Sequence, residues 1–186
     1  WSSDLSTWAV DTAAFGVDST SWNSAHVWSP SLVRHQSKDY LFYTGVDRFG
    51  EQRIGYASTD LLDTTDTVWD PERVKVLEAS DTRWAVPRPW TYGYYTQFRD
   101  PFVMPDPAAP GHWLMYYSAF PAADTVGMVV GVAASDGDLT HWNDLMPLWV
   151  TNRQYSFSSI IESPHLFKHG SQWFMFVTMN SGQPLT

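Results

Sequence analysis

Three segments of the chain share one outline, and this internal repeat limits the possible folds more than any other feature of the sequence. In each segment a proline opens an apolar run, and a second apolar run opening on an aromatic residue follows 9, 10 or 12 residues later. The prolines are Pro30, Pro101 and Pro164, which are 71 and 63 residues apart. Two segments continue with a third run, over 55–58 and 131–135, and then a tryptophan. Four antiparallel strands in a repeat of this length are typical of a β-propeller blade.

The register of the repeat predicts an all-β chain, with a single partial β-propeller domain over residues 1–186. Residues 1–27 are expected to form the end of a preceding blade and a linker. Residues 28–97 and 98–157 are each expected to form a blade, and residues 158–186 half a blade. A β-sandwich built from similar strands is the alternative fold.

The N-terminal segment extends the repeat. Ser2 to Trp8 matches Ser135 to Trp142, because both contain Asp-Leu followed by Trp at the same spacing. Trp8, Trp69 and Trp142 recur at blade ends and are interpreted as packing residues between blades. Open blade faces expose apolar surface, and 44% of the residues are hydrophobic. We therefore expect the chain to be a fragment, or to be completed by the missing blades from other chain material.

Charge and composition restrict the partners. The net charge is −9, and the 11 basic residues form no run or stripe. Phosphate binding needs clustered cations, so neither nucleic acid nor an anionic membrane is expected as a partner. Aromatic residues make up 16% of the chain, which suits a neutral substrate such as an oligo- or polysaccharide. The absence of cysteine excludes disulfides and Cys-ligated zinc. No apolar run reaches 18 residues, so no membrane-spanning segment is expected.

Two of the three prolines follow a carboxylate closely. Asp100 directly precedes Pro101, and Glu162 stands two residues before Pro164. Two carboxylates at equivalent places in successive repeats would suit acid-catalysed cleavage of a glycoside. Simpler readings stay open, because Asp before Pro commonly opens a turn and Glu162 could be a surface residue at a strand end. Arg99 could bind a ligand or be a structural partner of Asp100.

At these residues the chain resembles the five-bladed β-propeller glycoside hydrolases of families 43, 32, 62 and 68. The string Phe98-Arg-Asp-Pro101 is similar to the Arg-Asp-Pro motif of family 32. The string Glu162-Ser-Pro-His165 resembles the Glu-Gly-Pro-His segment of family 43 and, more loosely, the Glu-Cys-Pro of family 32. Trp28-Ser-Pro30 resembles the Trp-Ala-Pro of family 43. Ser163 departs from the usual Gly or Cys, which leaves the family open. The resemblance implies a five-bladed β-propeller of which this chain supplies about two and a half blades.

The resemblance also implies roles for the motif residues. Glu162 matches the general acid, and Asp100 matches the middle Asp that adjusts the pKa of the acid and orients the sugar. Arg99 matches the arginine that binds sugar hydroxyls. The Asp that acts as base or nucleophile in the first blade of these families has no counterpart in this chain. The implied enzyme is a secreted glycosidase acting on furanoside- or pentose-containing glycans or on fructans, and the 186 residues alone are expected to be inactive.

Aromatic residues are candidates for contacts with a sugar. Trp28 stands two residues before its proline, at the position of Arg99 and Glu162 in their repeats, and is expected to face the propeller axis and stack on a sugar. Trp90 lies in a Pro- and Tyr-rich loop over 81–95, which is interpreted as a rim over the site. A cluster that covers the gap between blades is the alternative for this loop.

No cofactor is expected. The six histidines show no metal-ligand spacing, and the sequence contains no Gly-rich phosphate loop. A structural calcium occurs in some family 43 enzymes, but no ligands for one are identified here. The expected location is extracellular or periplasmic, with a cytoplasmic location left open. Two other functions remain as alternatives: a carbohydrate-binding propeller without catalysis, and a structural propeller that presents interaction surfaces.

Overall fold

The computed structural model of the chain describes residues 2–9, 15–60, 69–70, 73–85, 97–121, 128–150 and 160–180. Within these ranges the chain forms ten β-strands and one short 3-10 turn, Ala79–Asp81, and contains no α-helix. The strands are β1 His26–His35, β2 Lys38–Val46, β3 Gln52–Thr59, β4 Val74–Leu77, β5 Phe98–Pro105, β6 Trp113–Ala119, β7 Val129–Ser135, β8 Asn143–Val150, β9 Ile160–His169 and β10 Gln172–Asn180. The all-β prediction is confirmed.

The strands form three antiparallel sheets in chain order. One four-stranded sheet has the order β1-β2-β3-β4, a second has the order β5-β6-β7-β8, and β9 pairs with β10 in a hairpin. Each four-stranded sheet is a meander, in which every strand pairs with the next one along the chain. Two complete blades and half of a third are therefore present, as the repeat predicts. In the described residues no helix is long and apolar enough to cross a membrane.

A β-bulge interrupts each innermost strand at its proline. Pairing with the second strand of the sheet skips the proline and the residue before it. The skipped residue before the proline is left-handed in all three sheets: Ser29 (φ 50°), Asp100 (φ 62°) and Ser163 (φ 53°). Non-glycine residues seldom adopt this conformation, and a residue before proline is normally extended. The same irregularity in three sheets shows that the repeat extends to backbone detail.

The turn between the third and fourth strands repeats as well. In the second blade, Oδ1 of Asp138 accepts hydrogen bonds from the backbone N–H groups of Thr140 and His141, at 2.9 and 3.0 Å. In the N-terminal segment, Oδ1 of Asp4 accepts the two corresponding bonds, both of 2.8 Å. The leucine that follows the Asp is left-handed in both turns. The predicted equivalence of the two segments thus holds in their hydrogen bonds.

The surroundings of the two turns differ. Leu139 is fully buried, and Trp142 lies edge-on against Phe42 of the first blade, with ring centroids 5.7 Å apart. Trp142 therefore packs between blades, as predicted. The side chains at the same positions in the N-terminal turn, Leu5 and Trp8, are 79% and 63% exposed. The packing role predicted for Trp8 is not seen in the described part of the chain.

The outer face of the hairpin β9–β10 is apolar and exposed. The rings of Phe174 and Phe176 both stack on Phe167, at centroid distances of 5.4 and 5.3 Å. Each of the three side chains is at least 38% exposed. We refer to these three phenylalanines as the open face.

Candidate active site

Three charged side chains meet where the innermost strands of the three sheets come together. β5 lies between β1 and β9 and contacts both. From β5, Arg99 donates a hydrogen bond from Nη2 to Oε1 of Glu162 in β9, at 2.7 Å. Nε of Arg99 lies 3.6 Å from Oδ2 of Asp100. The structure thus brings together Arg99, Asp100 and Glu162, all three of which the sequence predicts as site residues.

The three charged side chains differ in how far they are buried. Arg99 and Asp100 are 6% and 4% exposed. The side chain of Glu162 is 38% exposed. A buried charge needs partners, and Arg99 and Asp100 find theirs in one another and in polar groups around them. Glu162 is therefore the more exposed of the two carboxylates.

Asp100 connects three blades. Its Oδ1 accepts a hydrogen bond of 2.6 Å from the hydroxyl of Ser29, and its Oδ2 accepts one of 2.9 Å from the backbone N–H of Ser163. Its own backbone N–H donates to Oγ1 of Thr44 at 2.8 Å. Both carboxylate oxygens are therefore satisfied, and Asp100 contacts the left-handed residue of each neighbouring innermost strand. Strained backbone of this kind persists where surrounding contacts hold it, and it clusters at functional sites.

The register fixes which residues correspond. In each innermost strand, one residue is the last to pair with the second strand before the bulge. These equivalent residues are Trp28, Arg99 and Glu162, and their respective partners are Thr44, Ser118 and Thr178. Asp100 corresponds to Ser29 and Ser163, not to Glu162. The expectation that the two carboxylates occupy equivalent places is therefore wrong by one residue. Because of this offset, Asp100 bonds to the neighbouring innermost strands, and Glu162 accepts a hydrogen bond from Arg99.

One hydroxyl shows how Asp100 changes the contacts between blades. Thr44 of the first blade accepts the backbone N–H of Asp100. The corresponding hydroxyl of the second blade, Ser118, is buried and has no hydrogen-bond partner among the described residues. The N–H that corresponds to that of Asp100 belongs to Ser163, and it donates to the Asp100 carboxylate instead. Between the first two blades a hydroxyl accepts the backbone N–H, whereas between the second blade and β9 the carboxylate of Asp100 accepts it.

Gln52 belongs to this site and is not predicted from the sequence. It is the first residue of β3 and is 3% exposed. Its Oε1 accepts hydrogen bonds from the backbone N–H of Phe98 at 3.0 Å and from Nη1 of Arg99 at 3.3 Å. The repeat offers one indication in the sequence. Gln52 stands three residues before Gly55, and the apolar Met128 stands at the same distance before Gly131 in the second blade. A polar residue at a position that the repeat expects to be buried marks a candidate.

The predicted aromatic contacts have mixed outcomes. Trp28 is half-buried and stacks on His26, with ring centroids 5.2 Å apart. Its contact with a sugar stays a prediction. Trp90 lies outside the described residues. In the described part of the same loop, Trp84 stacks on Tyr117, and its Nε1 donates to Oδ1 of Asp144 at 2.8 Å. Trp84 therefore packs against the second blade, whereas residues 86–95 of the loop lie outside the described residues.

The arrangement suits proton donation from Glu162. Oε1 of Glu162 is held by Arg99, whereas Oε2 has no hydrogen bond to any described residue. A proton on Oε2 could be delivered to the oxygen of a leaving group that approaches from the solvent side. Among the residues that the structure describes, no three side chains of His, Asp or Glu come together as a metal site.

Comparisons with known proteins identify the family and the fold of the chain. A family model described as "Glycosyl hydrolases family 32 N-terminal domain" matches residues 1–183. No curated protein sequence matches the chain. Levansucrase from Gluconacetobacter diazotrophicus is similar in structure, with a TM-score of 0.64 at 17% identity over 81% of this chain and 39% of that one.

Two further solved structures extend the comparison. The β-fructofuranosidase catalytic domain of Microbacterium saccharophilum K-1 has a TM-score of 0.63 at 19% identity, over 82% of this chain and 40% of that one. A GH43 β-xylosidase/α-arabinofuranosidase from a compost microbial metagenome has a TM-score of 0.54 at 16% identity, over 80% and 41%. The chain thus spans about two fifths of the length of these structures. The likeness confirms the predicted fold class, a partial five-bladed β-propeller.

Proposed function

Since the chain belongs to the family of glycosyl hydrolase family 32 N-terminal domains, we propose that it forms part of a glycosidase that cleaves fructans or other furanoside-containing glycans by carboxylate acid/base catalysis. The observation that carries this proposal is the cluster of Arg99, Asp100 and Glu162 at the junction of three innermost strands. The match to family 32, together with TM-scores of 0.64 and 0.63 for the levansucrase and the β-fructofuranosidase against 0.54 for the family 43 enzyme, favours fructosides over pentosides.

Each residue of the cluster has a proposed part in the reaction. Glu162 protonates the leaving oxygen, because its carboxylate is the most exposed of the cluster and Oε2 is not used by a described residue. Asp100 is held by three blades and orients the sugar, and Arg99 orients Glu162 and binds sugar hydroxyls. Trp28 and Trp90 are proposed to stack on the sugar rings. No described residue is assigned as base or nucleophile.

The proposal extends to the rest of the molecule. Catalysis needs a third carboxylate beyond the cluster, so the 186 residues alone are proposed to be inactive. Further blades from the same polypeptide or from another chain would complete the propeller and supply that group. The substrate is an oligo- or polysaccharide, and the site of action is proposed to be extracellular or periplasmic.

The test substitutes the proposed acid in a polypeptide that carries these residues and hydrolyses a fructoside, xyloside or arabinoside. Glu162→Gln should lower kcat about 10²- to 10⁴-fold, because loss of a general acid has effects of this size. Glu51→Gln is the matched control, since Glu51 is also a part-exposed carboxylate paired with an arginine, Arg53, in the first blade. If Glu162→Gln left hydrolysis unchanged, Glu162 would not be the general acid.

A carbohydrate-binding propeller without catalysis is the second candidate function. The tryptophan at the innermost strand and the partly exposed Glu162 suit sugar binding as well as hydrolysis. A complete protein that changes its tryptophan fluorescence with sugar but releases no product would favour this function over the first.

A further inference from the structure

We propose that Gln52 is a positioning residue, which holds the Arg99 guanidinium against Glu162. This inference rests on the proposed function, in which Glu162 is the acid. Gln52 lies in a different blade from Arg99 and a different sheet from Glu162. Its Oε1 nevertheless accepts from Nη1 of Arg99 at 3.3 Å, while Nη2 of the same guanidinium donates to Glu162 at 2.7 Å.

The orientation of a buried guanidinium depends on the acceptors around it. Among the described residues, Arg99 has three contacts besides Gln52: Glu162 and the Met128 sulfur (3.7 Å) at Nη2, and Asp100 at Nε. Gln52 is the partner of Nη1. Without it, a buried donor would lose its acceptor, and the guanidinium would rotate to find another one. Such a rotation would move Nη2 away from Glu162.

A second bond fixes the amide of Gln52. The same Oε1 accepts from the backbone N–H of Phe98 at 3.0 Å, and Phe98 itself is fully buried. This N–H belongs to the residue directly before Arg99. Gln52 therefore fixes both the side chain of Arg99 and the start of the strand that carries it.

The repeat supplies a matched substitution. Gln52 stands three residues before Gly55, and Met128 stands three residues before Gly131. The two glycines face the equivalent tyrosines of the second strands. The second blade thus accommodates methionine, fully buried, at the position of Gln52. Gln52→Met keeps the length of the side chain and removes the acceptor, whereas Gln52→Glu keeps an acceptor oxygen.

The experiment measures kcat and KM of the complete, active protein with the substitutions Gln52→Met, Gln52→Glu and Arg99→Met, and with the Gln52→Met/Arg99→Met double substitution. Gln52→Met should lower kcat about 10-fold and change KM less than about 3-fold, because misplacement of a catalytic contact has effects of this order. Gln52→Glu should recover kcat to within about 3-fold of the parent value. In the Arg99→Met background Gln52→Met should cause no further loss, since residues that act through one contact are not additive.

The outcomes separate the two proposals. If Glu162→Gln lowers kcat but Gln52→Met does not, the positioning role is wrong and the proposed acid stands. If the losses from Gln52→Met and Arg99→Met multiply, or Gln52→Glu is no better than Gln52→Met, Gln52 serves the fold rather than Arg99. If Glu162→Gln leaves hydrolysis unchanged, the proposed function fails and the role of Gln52 fails with it.

Discussion

The hydroxyl of Ser29 donates a hydrogen bond of 2.6 Å to Oδ1 of Asp100, which joins the innermost strands of two neighbouring blades. The two residues occupy the same position in their blades, directly before the proline, and both are left-handed. Each left-handed residue costs about 1–3 kcal/mol. The bond between them offsets part of this cost and fixes the carboxylate near the three-strand junction.

Replacement of this hydroxyl should affect stability and catalysis together. We expect Ser29→Ala to lower the free energy of unfolding by about 1–3 kcal/mol, because Asp100 loses a buried partner. It should also lower kcat of the complete protein about 10-fold, since the freed carboxylate can rotate. Urea denaturation and steady-state hydrolysis measure the two effects.

Ser31→Ala is the control for Ser29→Ala. The Ser31 hydroxyl accepts from the backbone N–H of Val103 at 3.0 Å, so it also crosses the interface between blades. No hydrogen bond joins it to a carboxylate in the described residues. Its removal should destabilise the fold and leave kcat near the parent value. Equal losses of kcat in both variants would show that Ser29 acts only through packing of the blades.

Gly131 should not tolerate a side chain. A Cβ there would lie 2.4 Å from Cζ of Tyr117 and 2.7 Å from Cζ2 of Trp84, and these two rings stack on each other. We expect Gly131→Ala to lower the free energy of unfolding by about 1–3 kcal/mol, because overpacking forces the rings apart. Thermal denaturation measures the loss. Gly16→Ala is the control, since nothing lies within 4 Å of the added atom, and an equal loss there would contradict the steric explanation.

Arg53 gives the first blade a pH-dependent ion network. Its guanidinium binds Asp47 at 2.9 Å and Glu78 at 2.7 Å, and also binds Glu51. Burial raises the pKa of the Asp47 carboxyl, but hydrogen bonds from Arg53 and from backbone N–H groups outweigh it, so the pKa lies below its usual value. Burial likewise raises the pKa of the Glu78 carboxyl, and hydrogen bonds from Lys75 and Arg53 again lower it overall.

The sign of the pH dependence follows from these lowered pKa values. The carboxylates stabilise the fold above their unfolded pKa values of about 4, and this contribution is lost as the pH falls through the folded values. Arg53→Met should therefore cost about 1–3 kcal/mol at pH 7 and progressively less at an acid pH below about 4. Urea denaturation at both pH values measures the difference. A cost that does not depend on pH would show that Arg53 contributes through packing of its aliphatic chain.

The sequence shows the blades and most of the site, but not the backbone conformation before the prolines. The three prolines and the Asp-Leu-x-x-Trp turns repeat visibly, so the meanders and three site residues could be predicted. The left-handed backbone of the residue before each proline could not be predicted, because local preferences disfavour it. Gln52 is not predicted, because its partners are 46 and 47 residues away in another blade. Only its polar side chain, at the repeat position where the second blade has Met128, marks it as a candidate.

The last prediction concerns the open face of β9–β10. The equivalent position in the first blade is covered by the second blade, so the two can be compared. Phe176 pairs with the first residue after the bulge, as Phe42 does in the first blade. Phe42 is fully buried beneath the second blade, with Trp142 against its ring. Phe176 is 61% exposed, and the face around it is aromatic.

We therefore expect the chain of 186 residues, purified by itself, to self-associate through this face, and Phe176→Ser to reduce that association. Contiguous exposed apolar surface drives association, whereas single exposed apolar residues do not. Sedimentation velocity over a concentration series and binding of a hydrophobic dye measure the change. Phe49→Ser is the control, because Phe49 is 65% exposed and its ring lies beneath Arg48, away from the open face. If Phe49→Ser reduced association as much as Phe176→Ser, the effect would reflect general surface hydrophobicity, and the open face would have no special part in it.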